Sequence, residues 1–250
     1  MRVLISAGGT SESIDSVRSI TNHSTGRLGS IVADIFATDG ARVTYLCSDS
    51  AALPQNKDVE VIRIKDVHSL LETMERLFVM HKFDCVVHSM AVSDFTPKGS
   101  ASVDEIVENV FCSVIKQNIA QNELRDEIKT AILSSCTAPK EAKISSKSSN
   151  LMMMLENTPK VIARIKKMQP DTILVGFKLL SDVSEDELLS VAHDLMVENS
   201  CDFVLANDLK NIEGELHKAI LINKSGVLYR ANTKHEIAEA IYSAVKGAQR

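Results

Sequence analysis

MRVLISAGGTSESIDSVRSITNHSTGRLGSIVADIFATDGARVTYLCSD, residues 1–49, contains a complete strand–loop–helix–strand unit. Val3-Leu4-Ile5 is an apolar run that stops at Gly8-Gly9, so a buried strand enters a turn. From Gly26 a helix is expected, because Leu28, Ile31, Val32, Ile35 and Phe36 recur at i, i+3, i+4, i+7 and i+8. Gly40 supplies its stop, and Arg42–Cys47 is a second apolar strand. Between the first strand and the helix lies Ser6–Gly29, dense in Gly, Ser, Thr and Asn. A loop of that length inside a compact domain is usually functional. Its glycines would let the backbone approach a phosphate, and the helix start near Gly26 would point N–H groups at an anion. The plainer alternative is a βα turn carrying a solvated loop.

The same alternation continues outward. Val59–Ile64 is expected as a strand, and Asp66 as the cap of a helix with apolar face Val67, Leu70, Leu71, Met74, Leu77 and Phe78. Phe83–His88 is a further buried strand. Residues 94–150 break the pattern with Pro97, Gly99 and Pro139, and with the polar run Ser145–Asn150. Within them Val103, Ile106, Val107, Val110, Phe111, Val114 and Ile115 form a helical face, and Thr137–Ser149 is expected to be mobile. Thr158-Pro159 offers an N-cap and a first-turn proline ahead of Val161, Ile162 and Ile165. Thr172–Phe177 and Phe203–Ala206 are strands, separated by a helix capped by Ser184 with Glu187. Ala219–Ile222 and Val227–Arg230, split by Asn223–Gly226, form a hairpin. Thr233 with Glu236 caps a last helix that Gly247 closes. The expected fold is α/β: a doubly wound, mostly parallel Rossmann-like sheet, with a mobile middle excursion over 94–150 and a C-terminal β-hairpin over 219–230. All of 1–250 is read as a single domain.

Composition narrows the function. The chain has 250 residues, 44% hydrophobic but only 4% aromatic and without Trp, so its core is aliphatic, as buried parallel strands require. A net charge of −5 with no basic stripe argues against nucleic acid as a partner. Cys47, Cys85, Cys112, Cys136 and Cys201 are scattered without C-x-x-C spacing, which fits reduced thiols packed in a core. No H-E-x-x-H occurs, so no metal is assigned to protein side chains. No apolar run approaches membrane length, and a cytoplasmic protein without membrane association is expected.

In a doubly wound sheet, ligands bind beyond the carboxyl ends of the strands. The loops there are Ser6–Gly29, His88–Pro97, Gly176–Leu180 and Ala206–Asp208. Asp94, Asn207 and Asp208 are candidates in them, each also plausible as a simple turn cap. Lys143 on its own reads as a solvated side chain, and Met152-Met153-Met154 as core packing. His88 and the cysteines lack the partner spacing of a nucleophilic site.

Together these segments resemble one family. SAGGTSESIDSVRSITNHSTGRLG is similar to the opening of the ligase domain of phosphopantothenoylcysteine synthetases, which carries G-G/P-T-x-E-x-I/L-D-x-V-R followed by I-[ST]-N-x-S-[ST]-G-x-[LM]-G. SMAVSDFTP, AKISS, VGFKLL and LANDL match further motifs in order, so the resemblance covers nearly the whole chain. It implies a phosphopantothenate–cysteine ligase of the stand-alone bacterial form, preceded by no flavin decarboxylase domain. Cysteine would be joined to 4′-phosphopantothenate through an acyl-nucleotide formed from CTP, with Mg2+ accompanying the triphosphate and neither flavin nor NAD. The implied partners are these small molecules, a second copy in a homodimer, and a separate decarboxylase.

The resemblance also implies roles. Asn22, Lys143 and Arg18 fall on catalytic positions. Gly8, Gly9, Thr10, Asp94, Pro159, Lys160, Val161, Ile162 and Phe177 fall on nucleotide-binding ones. Arg18, Asn22, Ser24, Gly26 and Asn207 fall on substrate-binding ones. The chain departs from the pattern in places. Ile144, Ser145 and Ser146 lower the charge of the segment around Lys143, and Leu195 and Asn199 stand where the family has a nucleotide-binding lysine pair. Lys178 is a candidate replacement. One rival is an NAD(P)-dependent oxidoreductase with Asp49 on the ribose, but the first loop lacks G-x-G-x-x-G and is too long. The other is a non-catalytic nucleotide sensor.

Overall fold

The computed structural model describes residues 1–116, 122–136 and 150–249. The chain forms two compact units. The first comprises residues 1–10, 22–92 and those from 160 onward; the second comprises 11–21 and 93–159.

The first unit holds an eight-stranded sheet. In chain order its strands are β1 (Arg2–Ala7), β4 (Arg42–Cys47), β5 (Glu60–Arg63), β6 (Cys85–His88), β9 (Ile173–Leu180), β10 (Phe203–Glu213), β11 (Leu216–Asn223) and β12 (Gly226–Thr233). Across the sheet the order is β12-β11-β10-β9-β6-β1-β4-β5. The strands from β10 to β5 are parallel, while β11 and β12 add an antiparallel hairpin at one edge. Parallel strands need crossovers, and the helices α1 (Arg27–Thr38), α2 (Val67–Met80), α5 (Ile162–Met168), α6 (Glu185–Asn199) and α7 (Lys234–Ala248) cover both faces. Successive side chains therefore enter opposite cores. Val3, Ile5 and Ala7 pack with Phe36 of α1 and Ile241 of α7. Leu4 packs with Leu70 of α2, Ile165 of α5 and Met196 of α6. With no Trp available, these two aliphatic layers supply most of the buried apolar surface.

The second unit pairs β2 (Ser11–Ser13) with β3 (Ser19–Thr21), and β7 (Phe95–Ser102) with β8 (Leu151–Asn157), both antiparallel. It adds α3 (Val103–Lys116) and α4 (Leu124–Ser135). Its core is small: Ala101, Ile106 and Cys136, backed by Val110, Ile132 and Met154.

Several local expectations change. The strand expected over Val59–Ile64 is four residues, Glu60–Arg63. Thr158 does not cap a helix; its hydroxyl donates to the Ser93 carbonyl at 2.5 Å, and α5 begins only at Ile162. The strand expected to end at Phe177 continues to Leu180, and the one expected to end at Ala206 continues to Glu213. Gly247 does not close α7, which runs to Ala248. Of the helical face in the excursion, Ile106 is buried, but Val107 and Phe111 are more than half exposed. Met152 likewise lies half exposed on β8 rather than in a core. The caps at Asp66, Ser184 and Thr233 form as expected, each side chain accepting the N–H three residues on.

Candidate active site

The carboxyl end of β1 is closed by its own loop. The Ala91 N–H donates to the Gly8 carbonyl at 2.8 Å, and the Thr10 N–H donates to the Ala91 carbonyl at 3.1 Å. The strand is thereby extended through Gly9, which bridges Ala91 in parallel. The chain then leaves this unit at Ser11 and re-enters it at Asn22, whose N–H donates to the Thr10 carbonyl at 3.1 Å. The glycines serve this internal packing. A Cβ on Gly8 would stand 2.4 Å from Ser48 Oγ, and one on Gly29 would stand 2.5 Å from Ala7 Cβ. One on Gly26 would stand 2.9 Å from Ala51 Cβ, and Gly26 also has a φ of 67°, which favours glycine. Tyr45 is fully buried beneath this junction, with its hydroxyl 3.2 Å from the Gly26 carbonyl and 3.0 Å from that of Ala52. The close backbone approach expected for a phosphate is thus occupied first by the chain itself. α1 starts at Arg27, and its N-cap, Gly26, brings no side-chain cap. Ser24 and Asn22, both half-buried, lie on the segment leading into it.

On the α1/α7 face of the sheet, half-buried Phe177 packs against the core and pairs in register with Leu205. Asn207, two residues further along β10, is 6% exposed, and its Nδ2 lies 2.9 Å from His217 Nε2. Burial, with the Lys234 charge nearby, pulls His217 down to about 4. Its Nδ1 is buried without a hydrogen-bond partner. Asp208 is structural: its carboxylate accepts the N–H groups of Asp182, Val183 and Lys210 at 3.0–3.1 Å. Those bonds, with the Lys210 charge, hold its carboxyl below the usual range against the opposing effect of burial. Asp208 therefore holds the turn after β9, where Asp182 has a φ of 57°.

On the other face, Ser6 Oγ lies 2.7 Å from His88 Nδ1, and burial pulls His88 down to about 4. Both histidines are neutral near pH 7. Val161 is buried at the start of α5, Ile162 packs on the sheet, and Lys160 is exposed. Lys178 is half-buried on β9. Leu195 packs toward Gly176, near Cys201 and Ile162. Asn199 is the last residue of α6, just before β10 starts, so it lies at the amino edge of the sheet. A charge missing at position 199 is therefore missing away from the carboxyl edge.

In the second unit, Arg18 already has a partner. Its Nε and Nη2 donate to Asp15 Oδ2 at 2.9 and 2.5 Å. A ligand anion would meet the other side of the guanidinium or displace Asp15. Asp94 is exposed, and its carbonyl accepts the Thr158 N–H at 3.0 Å, which ties the SDF segment to the chain just before exposed Pro159. Lys143 and its neighbours lie outside the described residues.

Sequence reading missed His217, Tyr45 and the Ser6–His88 contact, because each partner is remote in sequence or lies across a turn. It also took the chain to carry no Tyr-x-x-x-Lys pair, which is wrong: Tyr242 and Lys246 have that spacing. That pair is no dehydrogenase dyad. Lys246 Nζ is bound to Asp39 Oδ2 at 2.7 Å, beyond the end of α1 at the amino edge, and burial together with Asp39 raises the Tyr242 hydroxyl. A cavity of about 770 Å³ lined by Phe78, Phe83, Gln169 and Thr172 also lies at that amino edge, away from the loops described above. Burial raises the thiols of Cys47, Cys85 and Cys201, which suits packing rather than nucleophilic attack.

A doubly wound α/β sheet whose carboxyl edge gathers a glycine-lined loop, an uncapped helix start and the buried amide of Asn207 defines an α/β protein of Rossmann-like architecture. The chain belongs to the DNA/pantothenate metabolism flavoprotein C-terminal domain family, whose profile matches residues 1–105 and 121–248. It is 32% identical over 246 residues to the coenzyme A biosynthesis bifunctional protein CoaBC of Thermococcus kodakarensis, covering 98% of this chain and 51% of that protein. The chain thus spans about half the length of the curated relatives it matches. Among solved structures, the DNA/pantothenate metabolism flavoprotein of Streptococcus pneumoniae shares 34% identity at a TM-score of 0.82, with 99% of each chain covered. A Cab2 mutant in complex with phosphopantothenate-cysteine shares the fold at a TM-score of 0.67 and 16% identity, covering 99% of this chain and 87% of that one.

Proposed function

We propose that this chain is a phosphopantothenate–cysteine ligase acting in coenzyme A biosynthesis. The observation that carries the reading is the position of the I-T-N-H-S segment. The Asn22 N–H donates to the Thr10 carbonyl just past the carboxyl end of β1, the strand at the middle of the parallel array, where doubly wound sheets hold their ligands. Family membership and the relatives' role in coenzyme A biosynthesis support it.

In the proposed reaction a carboxylate oxygen of 4′-phosphopantothenate attacks the α-phosphorus of CTP and pyrophosphate leaves. The cysteine amine nitrogen then attacks the acyl carbon, CMP leaves, and the nitrogen loses a proton. No protein nucleophile is needed; the demand is for donors that stabilise developing negative charge. Asn22 would donate to the activated acyl oxygen, Arg18 and Lys143 would meet phosphate or carboxylate, and Asp94 and Phe177 would contact the nucleotide. Among the described residues no three His, Cys, Asp or Glu side chains gather to hold a metal. Magnesium would therefore be carried mainly on the triphosphate oxygens. The oxidoreductase alternative is disfavoured, because the chain enters the second unit between Gly9 and Gly26 instead of making the tight strand–turn–helix of a dinucleotide fingerprint. We extend the reading to a homodimer, and to a decarboxylase, separate or fused, that consumes the product.

The test is pyrophosphate release from purified protein given 4′-phosphopantothenate, cysteine and either CTP or ATP. Release that requires 4′-phosphopantothenate, with CMP or AMP formed in equal amount, is expected. Tight NADPH binding with no pyrophosphate release overturns the reading.

A further inference from the structure

We propose that His217 is a positioning residue that fixes the Asn207 amide for substrate recognition; this rests on the ligase reading of the carboxyl edge. β10 and β11 pair regularly down to Asn207↔Ala219, then lose register before resuming at Ile212↔His217. That irregularity brings a residue ten positions away against Asn207, with Nδ2 and Nε2 2.9 Å apart and both side chains 6% exposed. A buried amide can turn by 180° about its last torsion, exchanging donor for acceptor. A neutral ring fixes that choice through its tautomer: with the proton on Nδ1, Nε2 accepts from Asn207 Nδ2 and Oδ1 is left for a ligand; with the proton on Nε2, the ring donates to Asn207 Oδ1 and Nδ2 is left for a ligand. The environment keeps the ring neutral. Lys234, whose ammonium is bound to the Gly214 carbonyl, is the nearby charge acting on it.

His217 is a poor choice for stability alone. Its Nδ1 is buried without a partner, a cost that an apolar side chain would not carry. Its one described side-chain hydrogen bond is the one to Asn207. The Asn207 amide atom that His217 leaves free would pair with an amide or hydroxyl of the pantothenoyl chain.

The experiment compares wild type, His217→Leu, His217→Gln, Asn207→Ala and the double variant His217→Leu/Asn207→Ala. Pyrophosphate release is followed with 4′-phosphopantothenate varied at saturating CTP, alongside thermal melting. His217→Leu is expected to raise KM for 4′-phosphopantothenate about tenfold with kcat nearly unchanged and only a small change in melting temperature, because removing the unpartnered Nδ1 offsets leaving the Asn207 amide without its partner. His217→Gln, which restores a hydrogen-bond partner, should recover most of that. The double variant should be no worse than Asn207→Ala, because His217 acts only through Asn207. An unchanged KM in His217→Leu, or multiplicative losses in the double variant, overturns the inference while leaving the ligase reading intact. If wild type releases no pyrophosphate with any nucleotide, the ligase reading fails. Calorimetric binding of 4′-phosphopantothenate to the same proteins then decides the positioning role, and absence of binding to wild type overturns it.

Discussion

The Asn22 carbonyl lies directly over Gly9: a Cβ built on Gly9 would stand 1.8 Å from that oxygen. The contact is backbone to backbone, so no side chain can rotate away to relieve it. Gly9→Ala must push Asn22 off the end of β1. The expected outcome is a folded protein destabilised by about 1–3 kcal/mol whose ligation rate falls further than its stability. Denaturation and pyrophosphate release on the same sample measure both. Normal turnover in Gly9→Ala would show that the position of Asn22 is unimportant.

Asn22→Asp tests the donor itself. The described hydrogen bond of Asn22 uses its backbone, so the substitution should fold normally. A carboxylate cannot donate and repels phosphate, so turnover should fall by roughly 10²–10³, the usual effect of losing one preorganised donor. Activity within a few-fold of wild type would remove Asn22 from the proposed role.

His88 and His217 make stability depend on acid. Each has its pKa lowered in the folded protein from 6.5 to about 4. Between those values the unfolded chain binds more protons, so folding stability rises with pH from about 4 to 6.5 and falls on acidification through that window. Urea midpoints at pH 7 and pH 5 should differ by an amount equivalent to at most about 2 kcal/mol from fully buried His88, and by less from His217, whose surroundings screen it more. In His217→Leu the difference should shrink by one histidine's share. A flat profile between those pH values would mean the rings are solvated.

Asp208 holds the turn after β9 through three backbone N–H groups and Lys210. Asp208→Ala should lower the melting temperature more than Asp208→Asn, which keeps one acceptor oxygen. Because its folded pKa is depressed, its contribution is present at neutral pH and is lost as pH falls through the lowered value. Equal melting of all three proteins would make the turn self-supporting.

Lys143 is proposed as a charge on the triphosphate. Rapid-quench measurement of acyl-nucleotide formation should show a much larger loss in Lys143→Ala than in Lys140→Ala or Lys147→Ala. Equal rates in the three variants would leave it a solvated side chain.

Much of the first unit was legible from local patterns. The period of Leu28, Ile31, Val32, Ile35 and Phe36 gave α1, and the run Arg42–Cys47 gave β4 with the bounds observed. Caps at Asp66, Ser184 and Thr233 were legible because the donor lies three residues away. Thr158-Pro159 misled for the opposite reason: the same local signal was overridden by a carbonyl 65 residues earlier in the chain, at Ser93. Ser11–Ser13 gave no sign that they pack against β7 in the second unit, because short polar strands carry almost no period.

The sequence by itself determined the alternation, the two aliphatic layers and the motif order, because period, capping and glycine placement act over a few residues. Tertiary structure decided what those residues are used for. The glycines of the first loop are required by Ser48, Ala51, Ala7 and the Asn22 carbonyl. Arg18 is already held by Asp15, and Asn207 by His217. Hydrogen bonds and steric contacts depend on distances of 2–4 Å between atoms that the fold brings together, and residue types along a chain do not specify those distances.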